Sequence, residues 1–136
     1  MNRASNPQPG SRRREGVVAV IQKDAQFLVI RRSQHVVAPG KLCFPGGGIE
    51  AGETQEIALR RELQEELSVE ITPQGKLWEN VTRRQTRIHW WAASLCEGST
   101  PVANPCEVAD IYWMTREELL ENEELLDGNR DFLTQC

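Results

Sequence analysis

Three glutamates within five positions of the chain, Glu62, Glu65 and Glu66, have the types and spacing that could do chemistry together. On a helix, with about 100° per residue, Glu65 lies about 60° to one side of Glu62 and Glu66 about 40° to the other. The three carboxylates therefore share a narrow arc, where each pair repels by a few tenths of a kcal/mol if no cation offsets the charge. Arg61 lies about 100° from Glu62, within reach of this arc through charge-assisted hydrogen bonds.

A solvated acidic helix face is the ordinary interpretation of such a cluster. The preceding residues favour a metal site instead. Gly46, Gly47 and Gly48 come shortly before the glutamates, and glycine lets backbone approach a phosphate or a metal closely because no Cβ intervenes. Carboxylate and carbonyl oxygens suit Mg²⁺ or Mn²⁺ far better than zinc. The sequence therefore indicates a site for a hard divalent cation.

The helix that positions the carboxylates is predicted from about Thr54 to Leu67, because this segment consists mainly of good helix formers. Leu59, Leu63 and Leu67 form an apolar stripe beside the acidic arc. One side of the helix is thus expected to pack against a core while the other gathers negative charge.

The remaining elements are predicted from apolar and β-branched runs, with a turn at Lys23-Asp24-Ala25 between the first two strands. Pro45-Gly46-Gly47-Gly48 is expected to halt regular structure, and a second helix is predicted over Arg116–Leu126 with Thr115 as N-cap. Strands and helices are mixed without a regular βαβ repeat, which favours an α+β fold, an α/β/α sandwich with a mixed sheet between helices. The predicted strands are Val17–Ile21, Phe27–Ile30, Lys76–Thr82, Arg87–Leu95 and Val108–Met114.

Length and composition indicate one folded domain, since the 136 residues are 39% hydrophobic and 26% charged. Residues 1–14 combine Pro, Gly, Ser, Asn and Arg, which predicts a disordered leader before a domain at 15–136. The net charge of −4 argues against stable nucleic-acid binding and against adhesion to anionic membranes. No apolar run is long enough for a signal peptide or a bilayer span.

For the histidines, the adjacent tryptophans and the cysteines, the sequence favours structural roles over catalytic or metal-binding ones. His35 and His89 lack metal-ligand spacing and are expected to be plain polar residues. Trp90 and Trp91 are adjacent in a predicted strand, so one should face the core, with base stacking as the alternative. The cysteines have no Cys-x-x-Cys spacing, so reduced thiols in a cytoplasm are expected; they are Cys43, Cys96, Cys106 and Cys136.

The acidic helix belongs to a longer pattern: Gly47, five residues, Glu53, seven residues, then Arg61 to Val69 with the sequence RELQEELSV. This resembles the Nudix box, in which Gly, Glu and an Arg-Glu-apolar-x-Glu-Glu-x-Gly-apolar segment have the same spacing. One fixed position differs, because Ser68 stands where the family has Gly, at the helix C-terminus. The segments Phe44–Gly47 and Tyr112–Thr115 also resemble family positions, so the similarity extends over most of the chain.

The resemblance implies the Nudix fold and a set of metal-binding roles. Glu65 and Glu66 would ligate Mg²⁺, with Mn²⁺ as a substitute, and Gly46 would add its carbonyl oxygen. Glu62 would be either a ligand or the base that activates water. Glu53 lies about half a turn out of phase with Glu62, which suits an orienting or water-mediated role better than direct ligation.

Outside the helix, the resemblance implies further roles for which the sequence leaves alternatives open. A further acid before the last strand would assist metal binding or catalysis, and Glu107 and Asp110 are the two candidates. Gly47 would lie against the substrate, and Arg32 would contact its phosphate or sugar, with a structural ion pair as the alternative. Asn129 would contact the purine edge through its amide, or would simply form a Gly-Asn turn or helix cap.

Within the family the chain is most similar to the MutT type, which implies hydrolysis of nucleoside triphosphates, including oxidised guanine nucleotides such as 8-oxo-dGTP, to monophosphate and pyrophosphate. The alternatives are a pyrophosphatase acting on ADP-ribose, a dinucleotide or a nucleotide sugar, and a catalytically silent nucleotide-binding module. The intact glutamates weigh against the silent module, and the short chain favours the triphosphate substrate. The sequence leaves monomer and homodimer open.

Overall fold

The computed structural model describes residues 14–136, so the predicted leader lies outside the described residues except for Arg14, which is the first residue of a strand. The helices are α1 (Gln55–Leu67), α2 (Arg116–Leu120) and α3 (Asp127–Gln135). The strands, in chain order, are β1 (Arg14–Val20), β2 (Gln22–Lys23), β3 (Gln26–Arg32), β4 (Leu42–Cys43), β5 (Gly46–Gly48), β6 (Ile71–Val81), β7 (Thr86–Leu95) and β8 (Val108–Thr115).

The strands form two sheets. The first is mixed, with the order β5-β1-β7-β6, and only its β1–β7 pair is parallel. The second is antiparallel, with β8 on one side of β3 and the short β2 and β4 on the other. The predicted mixed sheet is thus confirmed, and the remaining strands form a sheet of their own.

The helices cover opposite faces of this β-structure, as two hydrophobic clusters show. Leu28 and Ile30 of β3 pack in one cluster with α1, whereas Phe27 and Val29 pack in the other with α2 and α3. Side chains alternate between the faces of a strand, so one strand contributes to both cores. The predicted α+β fold with an α/β/α arrangement is confirmed. Within residues 14–136, no helix has the length and apolar character required to cross a membrane.

Helix α1 forms as predicted and is fixed at both ends. The Thr54 side chain accepts a hydrogen bond from the Ile57 N–H at 3.1 Å, the arrangement of an N-cap. The stripe of Leu59, Leu63 and Leu67 is fully buried. Ser68 ends the helix in the left-handed region, with φ 55°, and it occupies the position at which the Nudix box pattern has glycine.

The glycine run does not halt regular structure, which corrects the sequence prediction. Gly46–Gly48 form β5 and pair antiparallel with β1, with Gly46 opposite Val18 and Gly47 opposite Val17. A Cβ at Gly46 would lie 2.1 Å from the Val17 carbonyl oxygen. Only glycine permits the backbones to approach this closely, so here the run makes strand pairing possible.

Two further boundaries differ from the prediction. The strand after α1 begins at Ile71 rather than Lys76, and it passes through Pro73 because β6 lies at the edge of its sheet, where a missing N–H is tolerated. The second helix ends at Leu120 rather than Leu126. Beyond it the Asn122 side chain accepts from the Glu124 N–H at 2.8 Å, a local bond that competes with helix continuation.

Candidate active site

Three carboxylates converge at the inner side of α1. Oxygens of Glu62, Glu66 and Glu107 all lie within 4.8 Å of one another, and these residues are called the acidic cluster below. Glu62 and Glu66 are buried on successive turns of α1, and the half-buried Glu107 comes from the loop before β8. Three negative charges this close in a poorly solvated place repel strongly, so a proton or a cation is needed to balance them.

The protonation behaviour of the cluster follows from its burial. Burial and the neighbouring Glu62 carboxylate together raise the pKa of Glu66 to about 8, although a hydrogen bond from the Gly46 N–H at 3.1 Å opposes the shift. Burial also raises the pKa of Glu62, although Arg61 opposes the shift. An oxygen-only set of partly buried acids is the donor chemistry that Mg²⁺ and Mn²⁺ prefer. The residues present therefore fit a hard divalent cation.

Arg61 forms hydrogen bonds with several glutamates and fixes the orientation of their carboxylates. Its Nε donates to Glu53 at 2.6 Å, and its Nη2 donates to the Gly48 carbonyl at 2.8 Å. Its Nη1 donates to Glu62 at 2.9 Å and to Glu65 at 3.2 Å. The hydrogen bond with Glu53 raises the already high pKa of Arg61, and the same bond holds the pKa of Glu53 below its usual value.

The members of the predicted ligand set thus lie in two different environments. The structure brings Glu62 and Glu66 together with Glu107. It places the Glu65 carboxylate on Arg61, outside the acidic cluster and about half exposed. Asp110, the other candidate for the additional acid, is exposed on β8 opposite Arg31. The sequence left Glu107 and Asp110 equivalent because nothing local distinguishes them.

Gly47 is required by the packing of the cluster. A Cβ at this position would lie 2.3 Å from Glu62 Oε1. No side chain can occupy that space while Glu62 keeps its orientation. Because position 47 is glycine, the Glu62 carboxylate can pack directly against the backbone of β5.

A cleft of about 1170 Å³ runs beside the cluster, large enough for a nucleotide-sized ligand. Gly46 joins the two regions, since it lines the cleft and also donates to Glu66. Arg32 lines the cleft as well; its Nε donates to the Val37 carbonyl at 2.6 Å, and its Nη1 lies 3.7 Å from Cys43 Sγ. These contacts hold the Arg32 guanidinium at the cleft, where it forms no ion pair with any of residues 14–136.

Asn129 also lines the cleft, in the first turn of α3, a helix that the sequence did not predict. It is buried, and its Oδ1 accepts a hydrogen bond from the Phe44 N–H at 2.8 Å. The amide therefore does not cap its own helix; its oxygen is turned towards Phe44, and its NH₂ group has no acceptor among residues 14–136. The sequence left a base contact and a Gly-Asn turn or cap open for Asn129, because its hydrogen-bond partner, Phe44, is remote in sequence.

The two adjacent tryptophans face opposite sides of β7. Trp90 is 2% exposed and stacks on Phe132 with ring centroids 4.8 Å apart, so the core interpretation is confirmed. Trp91 packs towards α1, where its Nε1 donates to Gln55 at 2.8 Å. His89 is buried between Glu15, 2.5 Å from its Nε2, and Lys76, 2.8 Å from its Nδ1, so the plain polar residue that the sequence suggested is part of a charged network.

Comparisons with known proteins agree with this geometry. Residues 11–136 match the family described as NUDIX domain. The chain is 34% identical over 121 residues to "Nucleoside triphosphatase NudI" of Enterobacter sp. (strain 638), covering 79% of this chain and 86% of that protein. It is 33% identical over 107 residues to a "Nudix hydrolase" of Deinococcus radiodurans, covering 70% of this chain and 58% of that protein.

Solved structures show the same fold. The "MutT NUDIX hydrolase from Burkholderia pseudomallei" superposes with a TM-score of 0.79 at 23% identity, covering 92% of this chain and 98% of that one. The protein DR0079 from Deinococcus radiodurans gives a TM-score of 0.75 at 26% identity, covering 100% and 90%. The family match over nearly the whole chain, together with the acidic helix that it contains, shows that the protein belongs to the Nudix family and is a Nudix hydrolase.

Proposed function

We propose that this enzyme hydrolyses nucleoside triphosphates to a nucleoside monophosphate and pyrophosphate, in a reaction that depends on Mg²⁺ and accepts Mn²⁺. The observation that carries this proposal is the convergence of Glu62, Glu66 and Glu107 within 4.8 Å of one another, beside a cleft that Gly46 links to the cluster. The triphosphate substrate is supported by the similarity to the nucleoside triphosphatase NudI.

The acidic cluster would hold the cation, with the Gly46 carbonyl and Glu65 as further ligands suggested by the resemblance. When bound, the cation supplies positive charge to the diphosphate and lowers the pKa of a water nucleophile. Burial of Glu62 and Glu66 supports this role, because their raised pKa values show that the folded chain disfavours their charge when no cation is present.

The chain's own residues have positioning and binding roles in this proposal. Arg61 keeps Glu62 and Glu53 in fixed orientations through bonds of 2.9 and 2.6 Å, and its fork also fixes the Gly48 carbonyl. Arg32, which lines the cleft, would contact the substrate phosphates. Asn129, which also lines the cleft, would contact the base, and Gly47 keeps the backbone beside Glu62 free of a side chain.

The test is a product analysis. The purified full chain is incubated with ribo- and deoxynucleoside triphosphates, 8-oxo-dGTP, ADP-ribose, a dinucleotide and a nucleotide sugar, with Mg²⁺ and with EDTA. We expect monophosphate and pyrophosphate in equal amounts from triphosphates, and no product with EDTA. Diphosphate and inorganic phosphate would contradict the proposed bond cleavage. Faster turnover of ADP-ribose or a dinucleotide would contradict the substrate class, and no turnover at all would indicate a silent module.

We also propose a cytoplasmic location. The cysteines within the described residues are free thiols, as a reducing compartment would keep them. The net charge of −4 supports a small nucleotide partner rather than stable binding to a nucleic-acid polymer.

A further inference from the structure

Two asparagines line the cleft, Asn129 in the first turn of α3 and Asn80 on the edge strand β6. Gly128, the chain neighbour of Asn129, lies against Asn80, because a Cβ built there would lie 3.8 Å from Asn80 Nδ2. Nothing in the sequence motif points to Asn80. These two side chains are called the amide pair below.

Each amide of the pair is oriented by a buried donor. The Phe44 backbone N–H donates to Asn129 Oδ1 at 2.8 Å, and Trp90 Nε1–H donates to Asn80 Oδ1 at 2.7 Å. Phe44 and Trp90 are both 2% exposed, and a peptide or indole N–H can only donate. Rotating either amide by 180° would place two donors against each other in a buried position. The chemistry of the partners therefore fixes which end of each amide is oxygen.

The orientation leaves the two NH₂ groups for a ligand. Among residues 14–136, neither Nδ2 atom donates to a protein acceptor, while both side chains line the cleft. Each amide oxygen is thus turned towards its buried donor, and the NH₂ group is the end of each amide that has no partner among these residues.

We propose that the amide pair is a base-selecting site that accepts nucleotides with a carbonyl oxygen at this point and disfavours those with an amino group there. Guanine, uracil and thymine present such an oxygen, whereas adenine and cytosine present an NH₂ group that would oppose another donor. The inference rests on the proposed function and refines it, because it names the class of base and adds Asn80 as a specificity residue.

A purely structural role for Asn80 makes a different prediction. If the amide only satisfied the Trp90 indole, any side chain that kept an acceptor at Oδ1 would be equivalent. Asn80→Asp keeps that oxygen and nearly the same shape, but replaces the NH₂ donor with an acceptor. The selectivity between two bases then separates the roles, because general effects of the new charge cancel in a ratio.

The experiment compares kcat/KM for dUTP and dCTP, which differ at C4 of the base, in the wild-type chain and in Asn80→Asp. We expect the wild type to favour dUTP by about tenfold, the effect of one base hydrogen bond gained or opposed. In Asn80→Asp the ratio should fall by at least about tenfold. Asn129→Asp is a second variant that makes the same change in the partner amide, and dGTP with dATP is the matching purine pair.

Asn122→Asp is the matched control, because its Oδ1 also accepts a backbone N–H, from Glu124 at 2.8 Å, in the segment between α2 and α3. It should leave the dUTP/dCTP ratio unchanged. Thermal melting of each variant verifies folding. A wild type without carbonyl preference, or a ratio unchanged in both cleft variants, would overturn the inference. If no triphosphate is hydrolysed, the proposed function fails separately, and titration of the same proteins with UMP and CMP still tests the base site.

Discussion

The acidic cluster and the amide pair lie along one cleft, and they differ in what the folded chain has already provided. In the cluster, Glu62, Glu66 and Glu107 bring negative charge together, and within the described part of the chain only Glu62 has an arginine partner at hydrogen-bond distance. In the amide pair, each oxygen already has a buried donor at 2.7 or 2.8 Å. The acidic cluster therefore needs a bound cation to balance its charge. In the amide pair, each oxygen already has a protein donor, and the NH₂ groups can donate to a ligand.

This difference separates two parts of enzyme function. A set of uncompensated charges determines whether a cation binds and the reaction proceeds, so changes there should produce large losses of turnover. A satisfied neutral pair with free donors contributes one or two hydrogen bonds, so changes there should alter selectivity by modest factors. Variants of the two regions should therefore differ in magnitude and in kind.

The largest effect is expected from Glu66→Gln, which removes a charge from the acidic cluster with little change of size. Turnover with Mg²⁺ should fall by at least about a hundredfold, while the fold is retained. Steady-state kinetics and circular dichroism test both parts. Glu56→Gln, an exposed change on the same helix, is the control and should keep full activity. Near-normal hydrolysis by Glu66→Gln would remove Glu66 from the metal site.

The second prediction concerns the pH dependence of stability in the absence of divalent cations. A carboxyl whose folded pKa is raised from 4.5 to about 8 stabilises the fold most below its unfolded pKa, and that contribution is lost as pH rises through 8. The free energy of unfolding should therefore fall by a few kcal/mol between pH 5 and pH 9. Urea titrations at several pH values measure this decrease.

Two comparisons make this pH prediction specific. Mg²⁺ should restore stability at pH 9, because it replaces the proton as the balancing charge. Glu66→Gln should flatten the dependence, since its amide does not titrate. A wild-type free energy of unfolding that is constant or rises over this pH range would show that charge repulsion in the acidic cluster does not destabilise the fold.

The third prediction addresses the amide pair through stability. Asn129→Ala leaves the buried Phe44 N–H without its acceptor, which should cost about 1–3 kcal/mol. Asn129→Asp keeps an oxygen for that N–H and should cost clearly less. Denaturant unfolding of both variants gives the comparison. Equal losses for Ala and Asp would mean that the hydrogen bond to Phe44 does not hold the side chain in place.

The smallest effect is expected outside both regions, at the C-terminal end of α1. Ser68 has φ 55°, a left-handed conformation that glycine adopts without steric cost. Ser68→Gly should therefore stabilise the protein by about 0.5–1 kcal/mol without altering turnover. Ser68→Ala, which keeps a Cβ, should bring no such gain. A clear loss of stability in the glycine variant would contradict the assigned backbone strain.

The local parts of the fold and site were predictable from the sequence. The helix over Gln55–Leu67 follows from residue propensity, an apolar stripe and a Thr cap, all of which act within a few positions. The common arc of Glu62 and Glu66 follows from helical geometry alone. Strand alternation predicted that one of Trp90 and Trp91 faces the core, and the structure shows that it is Trp90.

The remaining parts depend on contacts between remote segments. Glu107 and Asp110 are both carboxylate residues close to the start of β8, and only the path of the loop before β8 brings Glu107 to α1. Asn80 lies in a strand without any motif, and its role depends on Trp90 across the sheet. The glycine run forms β5 because β1 lies beside it, which a turn-forming composition does not indicate.

The most direct test of the central claim is Mn²⁺ binding, followed by electron paramagnetic resonance, in Glu107→Gln and Asp110→Asn. Each variant replaces one carboxylate with its amide, and only Glu107 belongs to the acidic cluster. We predict that Glu107→Gln weakens Mn²⁺ binding by at least about tenfold and slows triphosphate hydrolysis in parallel, whereas Asp110→Asn keeps both near wild type. Unchanged Mn²⁺ binding in Glu107→Gln, or a loss confined to Asp110→Asn, would contradict the assignment of the metal site to Glu62, Glu66 and Glu107.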